Sequence, residues 1–155
     1  MYWRRPRSQF LEQRGPGNKR TLKRMVAAGK PPGLLAYANG QPIGWCALAP
    51  RAAYSGLERS RVLKPVDEKP VWSVVCFFVA RPYRGRGLTV KLLGAAAAYA
   101  RKQGARILEG YPVEPKRGRW PDAFAYTGTA SAFRRAGFRE VARRSATRPL
   151  MRRVL

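Results

Sequence analysis

A glycine- and arginine-rich turn, Arg81–Gly87, follows the most apolar run of the sequence, Val71–Ala80, and precedes an amphipathic segment. Its two glycines allow a sharp turn and a close approach of the backbone to a ligand. The first N–H groups of a helix have no partner within the helix and lie at the positive end of its dipole. With Arg84 and Arg86 beside them, these groups predict a pocket for a phosphate or pyrophosphate.

Three interpretations compete for this turn. A Walker A loop is excluded, because the spacing and the Gly-Lys-Ser/Thr ending are missing. A dinucleotide-binding fingerprint would need a third small residue where Val90 stands, although Glu109 lies about the right distance onward for a ribose carboxylate. A plain helix start is the third interpretation. Two glycines and two arginines directly after a buried strand favour a ligand site over a plain helix start.

The side chains available for catalysis are few. The sequence has no histidine, which excludes Ser-His-Asp and Cys-His nucleophile systems and a zinc site with histidine ligands. We predict no metal site. Only 8 residues are acidic, so the candidates for a carboxylate base are few as well.

The two cysteines indicate the cellular compartment of the protein. Cys46 and Cys76 each lie in an apolar run that we interpret as a strand. Free thiols in a reducing cytoplasm are favoured over a disulfide. No stretch of about 18 residues is free of charge, so no membrane span is predicted. The N-terminus is basic but lacks the apolar region of a secretory signal.

The elements that would hold the turn alternate between helices and strands. Asn18 is predicted to cap a helix that runs to Ala28, and residues 50–70 are predicted to be a polar loop. A stripe of Leu88, Leu92, Ala95, Ala96 and Tyr99 is predicted for the helix after the turn. The predicted elements in chain order are a short helix at Ser8–Gln13, the helix at Asn18, a hairpin of Gly33–Ala38 and Pro42–Ala49 around Asn39-Gly40, the strand Val71–Ala80, a helix over Leu88–Lys102, the strand Ala105–Val113, a basic loop at Glu114–Pro121, a helix over Thr129–Ala136, and strands at Phe138–Arg143 and Arg148–Val154.

This order predicts a basic N-terminal segment at 1–17 and one mixed α/β domain at 18–155.

The turn resembles the acyl-CoA motif of the GNAT superfamily of N-acetyltransferases, in which Arg/Gln-x-x-Gly-x-Gly/Ala cradles the pyrophosphate of coenzyme A. Arg84, Gly87 and Thr89 occupy the motif positions, and Ser131–Phe138 resembles the later family helix that ends in Gly-Phe. The similarity spans about residues 33–154. It implies an α/β, single-domain GNAT-like fold, with a mixed central sheet flanked by helices. The first family strand has no counterpart before the helix at Asn18, so it is either missing or the chain is a shortened form.

The resemblance implies acetyl-CoA as co-substrate, with the pantetheine running along Val71–Ala80 like an extra strand. Side chains of Phe77 and Phe78 point to opposite faces of that strand, so one of them should belong to the core. The residues expected to bind the coenzyme are Phe78, Val79, Ala80, Arg84, Gly85, Arg86, Gly87, Leu88, Thr89 and Phe133.

Two catalytic residues are predicted, Glu109 and Tyr126. Family members often protonate the departing thiolate with a tyrosine, but the matching position is Phe133, which cannot donate. Tyr126 is the substitute, with Tyr111 and water as alternatives. Glu109 is the candidate base because it lies within a strand among apolar neighbours, a costly place unless the carboxylate is paired or faces a cavity. A salt bridge to an arginine is the alternative.

Other side chains are candidates for binding the acceptor. Glu114 and Asp122 could attract a cationic substrate. The loop before the central strand, which holds Glu58, Asp67 and Glu68, could form a substrate lid. Three tryptophans could wall a substrate pocket, although each is more often core or surface filler: Trp45, Trp72 and Trp120.

The net charge of +24 is extreme for an enzyme and is concentrated at the two ends. Residues 1–30 carry nine basic residues and one acid, and residues 131–155 carry eight and one. A solvated arginine-rich surface and polyanion binding explain this charge about equally well.

We therefore predict an acetyl-CoA-dependent N-acetyltransferase that acts on a primary amine. The amine could be carried by a small molecule, a peptide or RNA, and a homodimer is compatible with the sequence. The alternative is a nucleic-acid- or ribosome-associated basic protein that keeps the fold for binding.

Overall fold

Six strands form one mixed sheet in the computed structural model, which describes residues 1–114 and 125–155. The strand order is β1-β2-β3-β4-β6-β5. The strands are β1 (Gly33–Ala38), β2 (Gln41–Pro50), β3 (Trp72–Val79), β4 (Ile107–Gly110), β5 (Arg139–Arg143) and β6 (Pro149–Val154). The helices are α1 (Arg7–Glu12), α2 (Pro16–Ala27), α3 (Ser55–Glu58), α4 (Leu88–Lys102) and α5 (Ala130–Arg135).

The two halves of the sheet meet along a short parallel pairing between β3 and β4. Only Trp72–Val74 pairs with Leu108–Gly110 there, whereas all the other neighbouring strands run antiparallel. Beyond Val74, the main-chain N–H of Phe77 donates to the carbonyl of Tyr126 instead of to β4. The sheet therefore splits at this point and leaves room between its halves.

Apolar side chains cover both faces of the sheet. α4 buries Leu92, Leu93 and Ala96 against one face. On the other face, Tyr54 and Leu57 pack from the segment between β2 and β3. The predicted strand buried on both sides and the predicted helix at 88–102 are confirmed. Ala95, which we predicted to be part of the apolar stripe of α4, is exposed because the buried face of the helix is centred on the neighbouring alanines.

The hairpin prediction is confirmed. Asn39 has a φ of 49° and Gly40 a φ of 73°, the positive pair that a type I′ turn requires. The turn joins β1 directly to β2 and fixes their register. This hairpin forms the outer edge of the half-sheet that ends in β3.

The start of α2 differs from the prediction. Asn18 is not the N-cap, because the helix begins two residues earlier at Pro16, whose fixed φ suits a first helical turn. Asn18 is instead buried, and its Nδ2 donates to the carbonyl of Phe10 at 2.8 Å. The predicted boundary between residues 17 and 18 thus lies inside the helix. The short helix predicted around Ser8–Gln13 is present as α1.

The segment between β2 and β3 is not the polar loop that we predicted. It contains a 3-10 turn at Arg51–Ala53 and the helical turn α3, and it buries Leu57 and Leu63. Arg51 is only 8% exposed despite its charge. The charged composition concealed this packing because the buried carboxylate that pairs with Arg51 is that of Glu109, 58 residues away.

Residues 1–32 form helices and turns only, so no strand precedes β1. Over the described ranges, no helix is long and apolar enough to cross a membrane.

Candidate active site

A cleft of about 440 Å³ opens where β3 and β4 separate. One wall is the end of β3 together with the glycine-rich turn and the start of α4. The opposite wall is formed by Ala125–Thr129 and by α5. The residues that line the cleft are Phe77, Phe78, Val79, Tyr83, Arg84, Gly85, Gly87, Leu88, Thr89, Ala125, Tyr126, Gly128, Thr129, Ala132 and Arg135.

The turn places the start of α4 at one end of this cleft. Gly85 and Gly87 have φ values of 74° and 75°, in the left-handed region that favours glycine. Gly87 is the N-cap of α4 and contributes no side-chain hydrogen bond. The N-cap residue therefore leaves the first N–H groups of the helix without a side-chain acceptor.

Arg84 adds positive charge at the same end. Its Nε donates to the carbonyl of Val79 at 3.0 Å, which ties the turn back to the last residue of β3. Arg86 instead stacks over the ring of Tyr83 at 6.0 Å and does not line the cleft. Only the first of the two arginines is thus part of the pocket wall.

Seven of the ten residues predicted to bind a coenzyme line the cleft together. Three do not: Ala80, Arg86 and Phe133. The N–H of Ala80 is bonded to the carbonyl of Ile43 on β2. Phe133 is fully buried, because Gly110 and Gly128 leave room for its ring; a Cβ on Gly110 would stand 2.1 Å from it. This ring therefore packs in the core between Phe77 and Phe138.

The two phenylalanines at the end of β3 divide as expected. Phe77 is buried in the core on the α4 side, whereas Phe78 is 57% exposed on the opposite face. On the opposite wall, sequence reasoning found only Tyr126 and missed Gly128, Thr129 and Arg135. The glycine before a capping threonine was the available signal, since Gly128 has a φ of 85° and Thr129 caps α5.

Tyr126 lies in the cleft wall and is the predicted acid that the structure places there. Burial raises the pKa of its phenol above the ordinary value of 10.0. The alternative acid, Tyr111, is fully buried, and its hydroxyl is bonded to Glu109 and Ser73. Burial, and after it the Glu109 carboxylate, raise the pKa of Tyr111 well above the ordinary value.

Glu109 is fully buried and lies in a network of charges away from the cleft wall. Its Oε1 accepts from Arg51 at 2.7 Å and from the hydroxyl of Tyr111 at 2.5 Å. Its Oε2 accepts from the Nε of Arg152 at 2.7 Å. The alternative that we gave for this residue, a salt bridge, is therefore present. Both carboxylate oxygens already have donors.

Three of the remaining acidic candidates also pair with arginines. Glu58 bonds Arg51 within the segment between β2 and β3, and Asp67 bonds Arg152 and so fastens this segment to β6. Glu114 bonds Arg134 and Arg143, which hold the pKa of its carboxyl below the ordinary value.

Of the three tryptophans, Trp72 packs edge-on against Tyr99 and belongs to the core. Trp45 lines a second, smaller cavity. Asp122 and Trp120 lie outside the described residues, as does most of the predicted loop at Glu114–Pro121. Within the ranges 1–114 and 125–155, no three cysteine or acidic side chains gather as metal ligands would.

Comparison with known proteins gives one match at the level of sequence. The model of the acetyltransferase (GNAT) family matches residues 2–115. No curated protein matches the sequence.

Solved structures with the same fold include three whose activities are known by name. A ribosomal-protein-alanine N-acetyltransferase from Brucella melitensis is 18% identical with a TM-score of 0.56, and the match covers 89% of this chain and 76% of that one. The PaiA N-acetyltransferase from Thermoplasma acidophilum, in complex with coenzyme A, is 13% identical with a TM-score of 0.57 over 96% and 77% of the two chains. An aminoglycoside acetyltransferase in complex with coenzyme A and kanamycin is 20% identical with a TM-score of 0.53 over 77% and 64%. At these identities the likeness shows the fold.

Proposed function

The chain belongs to the acetyltransferase (GNAT) family, whose model matches residues 2–115 of its 155 residues, and from this premise we propose its function. The protein is an acetyl-CoA-dependent N-acetyltransferase. The residues that bind and transfer the acetyl group, the acceptor and the cellular compartment are our proposals.

The start of α4 is the observation that carries the proposed binding mode. We propose that the N–H groups after Gly87 and the guanidinium of Arg84 hold the pyrophosphate of coenzyme A. A helix start without a side-chain cap, next to an arginine, favours a group with negative charge. The cleft of about 440 Å³ falls within the range of pockets that bind cofactors.

The pantetheine would run from this anion site along the edge of β3 beyond Phe77, whose own N–H is bonded to the carbonyl of Tyr126. β4 leaves that edge after Val74, so main-chain groups further along the strand face the cleft. Phe78 and Val79 form the wall there. An extended chain with amide groups can pair with such an edge as an added strand does.

Transfer requires an amine nitrogen to attack the thioester carbon and the carbon–sulfur bond to break. The nitrogen loses one proton, and the departing sulfur carries a negative charge that a donor can neutralise. Tyr126 is the proposed donor, since it lines the cleft next to the end of β3 and its raised pKa keeps the phenol protonated at neutral pH.

The proton of the amine needs an acceptor, for which Glu109 is the predicted base. No side-chain carboxylate of the described residues lines the cleft. Both carboxylate oxygens of Glu109 already accept hydrogen bonds, which favours a structural role for this residue. In that case solvent water would accept the proton of the amine. The Glu109→Gln variant argued in the Discussion separates the two roles.

The acceptor class is proposed to be a primary amine on a small molecule, a peptide or RNA. Two of the similar structures are named for such acceptors, an alanine of a ribosomal protein and an aminoglycoside. We propose the cytoplasm as the compartment, because Cys46 and Cys76 are both free thiols. Binding of nucleic acid and formation of a homodimer remain proposals.

The direct test of this function combines coenzyme binding with turnover. Calorimetric titration with acetyl-CoA and CoA measures binding, and release of the CoA thiol with a panel of amines measures transfer. We expect binding of both ligands and amine-dependent thiol release. A protein that binds neither ligand contradicts the function at its first step.

Tyr126→Phe tests the proposed proton donor, because it removes only the hydroxyl. We expect kcat to fall about 10-fold to 10²-fold while CoA affinity stays unchanged. Since burial raises the pKa of this phenol above 10.0, the group stays protonated from pH 6 to pH 9, and its contribution is lost only as the pH rises above 10. Equal kcat values for the variant and the parent across that range would assign the proton to water.

A further inference from the structure

A second cavity, of about 160 Å³, lies beside the cleft and is lined mostly by aromatic and apolar side chains. We call it the aromatic cavity. The residues that define it are Trp3, Trp45, Ala47, Tyr54, Cys76 and Tyr126.

The aromatic cavity and the cleft share one wall residue, Tyr126. They also share one face of the sheet. Phe78, in the cleft, pairs in register with Trp45 of the cavity, and Cys76 pairs with Ala47. A molecule seated in the cavity would therefore reach the cleft at Tyr126, next to the end of β3.

A register shift in β3 gives the cavity its floor. The pairing with β2 skips one residue, Val75, between the pairs that contain Val74 and Cys76. Val74 packs on the α4 side, whereas Val75 and Cys76 both belong to the opposite face. Such a bulge turns two successive side chains to one side. Here both side chains line the aromatic cavity.

The size of the aromatic cavity limits what it can hold. An apolar cavity of about 150 Å³ in another protein binds benzene, so a volume near 160 Å³ suits one ring or a branched aliphatic group. A whole polyamine or sugar is too large. Burial of one such group from water would add affinity in proportion to its apolar area.

The charges around the aromatic cavity disfavour guests that carry several ammonium groups. No side-chain carboxylate of the described residues lines it, and the charged groups of its lining residues are the guanidinium of Arg4 and the α-ammonium group of Met1. The guanidinium of Arg4 lies 4.5 Å from the ring centre of Tyr54 and donates to its hydroxyl, which holds the positive charge at the wall. A guest with further ammonium groups would meet a like charge and find no partner.

One donor in this wall lacks a partner. The indole Nε1 of Trp3 is buried and makes no hydrogen bond, alone among the buried side-chain polar atoms of residues 1–114 and 125–155. Buried donors are almost always paired, and an unpaired one is typical of a site that meets water or a ligand.

We propose that the aromatic cavity binds the side group of the acceptor, which is a monoamine carrying an apolar group about the size of a benzene ring. This inference rests on the proposed function. The amino group of the acceptor would lie at Tyr126, where the cavity meets the cleft, and its ring would lie between Trp45 and Cys76.

Amines of graded size test the proposal on the intact chain without any mutation. With acetyl-CoA as donor, we expect kcat/KM for 2-phenylethylamine to exceed that for ethylamine by at least about 10-fold, as burial of several methylene-sized units predicts. Spermidine should be the poorest of the three despite its several amino groups. Equal values for the two monoamines, or a preference for spermidine, would overturn the assignment.

A filling variant tests the cavity itself. Ala47→Val adds two methyl groups to the wall and should lower the ratio of kcat/KM for 2-phenylethylamine to kcat/KM for ethylamine by about 10-fold. Ala38→Val is the matched control, because it places the same change in a neighbouring strand away from both cavities. If the two variants behave alike toward 2-phenylethylamine, the aromatic cavity does not hold the acceptor.

A binding measurement keeps this outcome separate from that of the proposed function. Trp3 and Trp45 should report 2-phenylethylamine by a saturable change in tryptophan fluorescence, with and without CoA. The change should weaken in Ala47→Val and persist in Ala38→Val. Loss of CoA binding would count against the proposed function alone, whereas absence of a saturable change in the intact protein, with CoA and without it, would overturn the cavity assignment.

Discussion

Gly87 is the residue on which the proposed coenzyme site most depends. Its φ of 75° favours glycine, and a Cβ built on it meets nothing within 4 Å. A side chain at this position would therefore fit sterically, although it would lie in front of the helix start. Replacing Gly87 changes the anion site while it disturbs little of the packing.

Gly87→Asp should abolish CoA binding, because its carboxylate would stand where the pyrophosphate is proposed to bind. The fold should survive with a loss of about 1 kcal/mol or less from the left-handed φ. Titration calorimetry with CoA, alongside circular dichroism, measures both effects. Gly104→Asp is the matched control, since Gly104 has a φ of 82°, an open Cβ position and a place just after the other end of α4. If Gly87→Asp binds CoA as tightly as the parent, the pyrophosphate does not bind at the start of α4.

Glu109→Gln separates the structural role of this residue from the catalytic one. The change leaves Arg51 and Arg152 without their buried carboxylate, and breaking such a pair costs about 3–5 kcal/mol. We expect a loss of that order in the free energy of unfolding, measured in denaturant. Turnover per folded molecule should change little if solvent accepts the proton.

The catalytic prediction for Glu109 makes the opposite forecast. A general base would give a variant whose turnover per folded molecule falls about 10²-fold or more from pH 6 to pH 9, in addition to the loss of stability. Glu58→Gln is the control for a lost arginine contact, because Glu58 bonds the same Arg51 but is half exposed.

At the residue scale, the sequence predicted those features of the site that depend on residues close together in the chain. The turn at Arg84–Thr89 was found because its glycines, arginines and following helix are adjacent in the chain. The partners of Glu109 were not found, because Arg51 and Arg152 lie 58 and 43 residues away. Phe133 was placed in the coenzyme site, yet its position depends on space left by Gly128 and by Gly110 of another strand.

At the element scale, periodicity predicted α4 with its observed bounds and both hairpin strands to within one or two residues. The segment 51–70 was missed because its one buried charge, Arg51, and its buried Leu57 and Leu63 stand among exposed charged residues, so that composition alone indicates a solvated loop. The bulge in β3 was missed for a related reason. Its apolar run gives no alternation from which a change of face could be read.

The first seventeen residues, which we predicted to be a basic N-terminal segment, contact the rest of the domain through Trp3 and Arg4. Arg4 donates to the carbonyl of Pro32 and to the hydroxyl of Tyr54, both at 3.1 Å. Trp3 packs so closely on the backbone of Gly56 that a Cβ there would stand 3.1 Å from it. Both contacts fasten the N-terminus to the face of the sheet that carries the aromatic cavity.

Deletion of residues 1–17 should therefore lower the free energy of unfolding by about 3 kcal/mol or more, from lost hydrogen bonds and lost burial. It also removes Pro16 from the first turn of α2. Denaturant unfolding checks this expectation. Arg7→Gln combined with Arg14→Gln is the control, because both arginines are exposed and their loss removes charge without packing. If the deletion variant has the same free energy of unfolding as the parent, residues 1–17 do not contribute to the stability of the fold.

At the scale of the whole molecule, the charge of +24 divides into two kinds of basic residue. Those near the C-terminus are engaged in the fold: Arg143 pairs with Glu140 and Glu114, Arg144 donates to backbone carbonyls, and Arg152 pairs with Glu109. Neutralising them would disturb the structure together with any binding. α2 carries the other kind.

The bases of α2 are the surface on which polyanion binding is best tested. Lys19, Arg20, Lys23 and Arg24 are all exposed on this one helix, and the only acid in residues 1–30 is Glu12. Phosphate contacts by such residues release counterions, so that log K for single-stranded RNA falls with log salt by about 0.7 per contact. The helix could contribute several such contacts at once.

Changing these four residues to Gln should flatten that slope by up to about 2.8, which is four contacts at about 0.7 each. Fluorescence anisotropy with a labelled single-stranded RNA, from about 50 mM to 200 mM salt, covers the range in which the difference is large. The matched control changes Lys91, Arg101, Lys102 and Arg106, which are also exposed, to Gln. Net charge falls by the same amount in both proteins, so a general effect of charge would flatten the two slopes equally. A difference between them would place the RNA on α2, and no binding at 50 mM salt by the parent would leave the charge as a solvated surface.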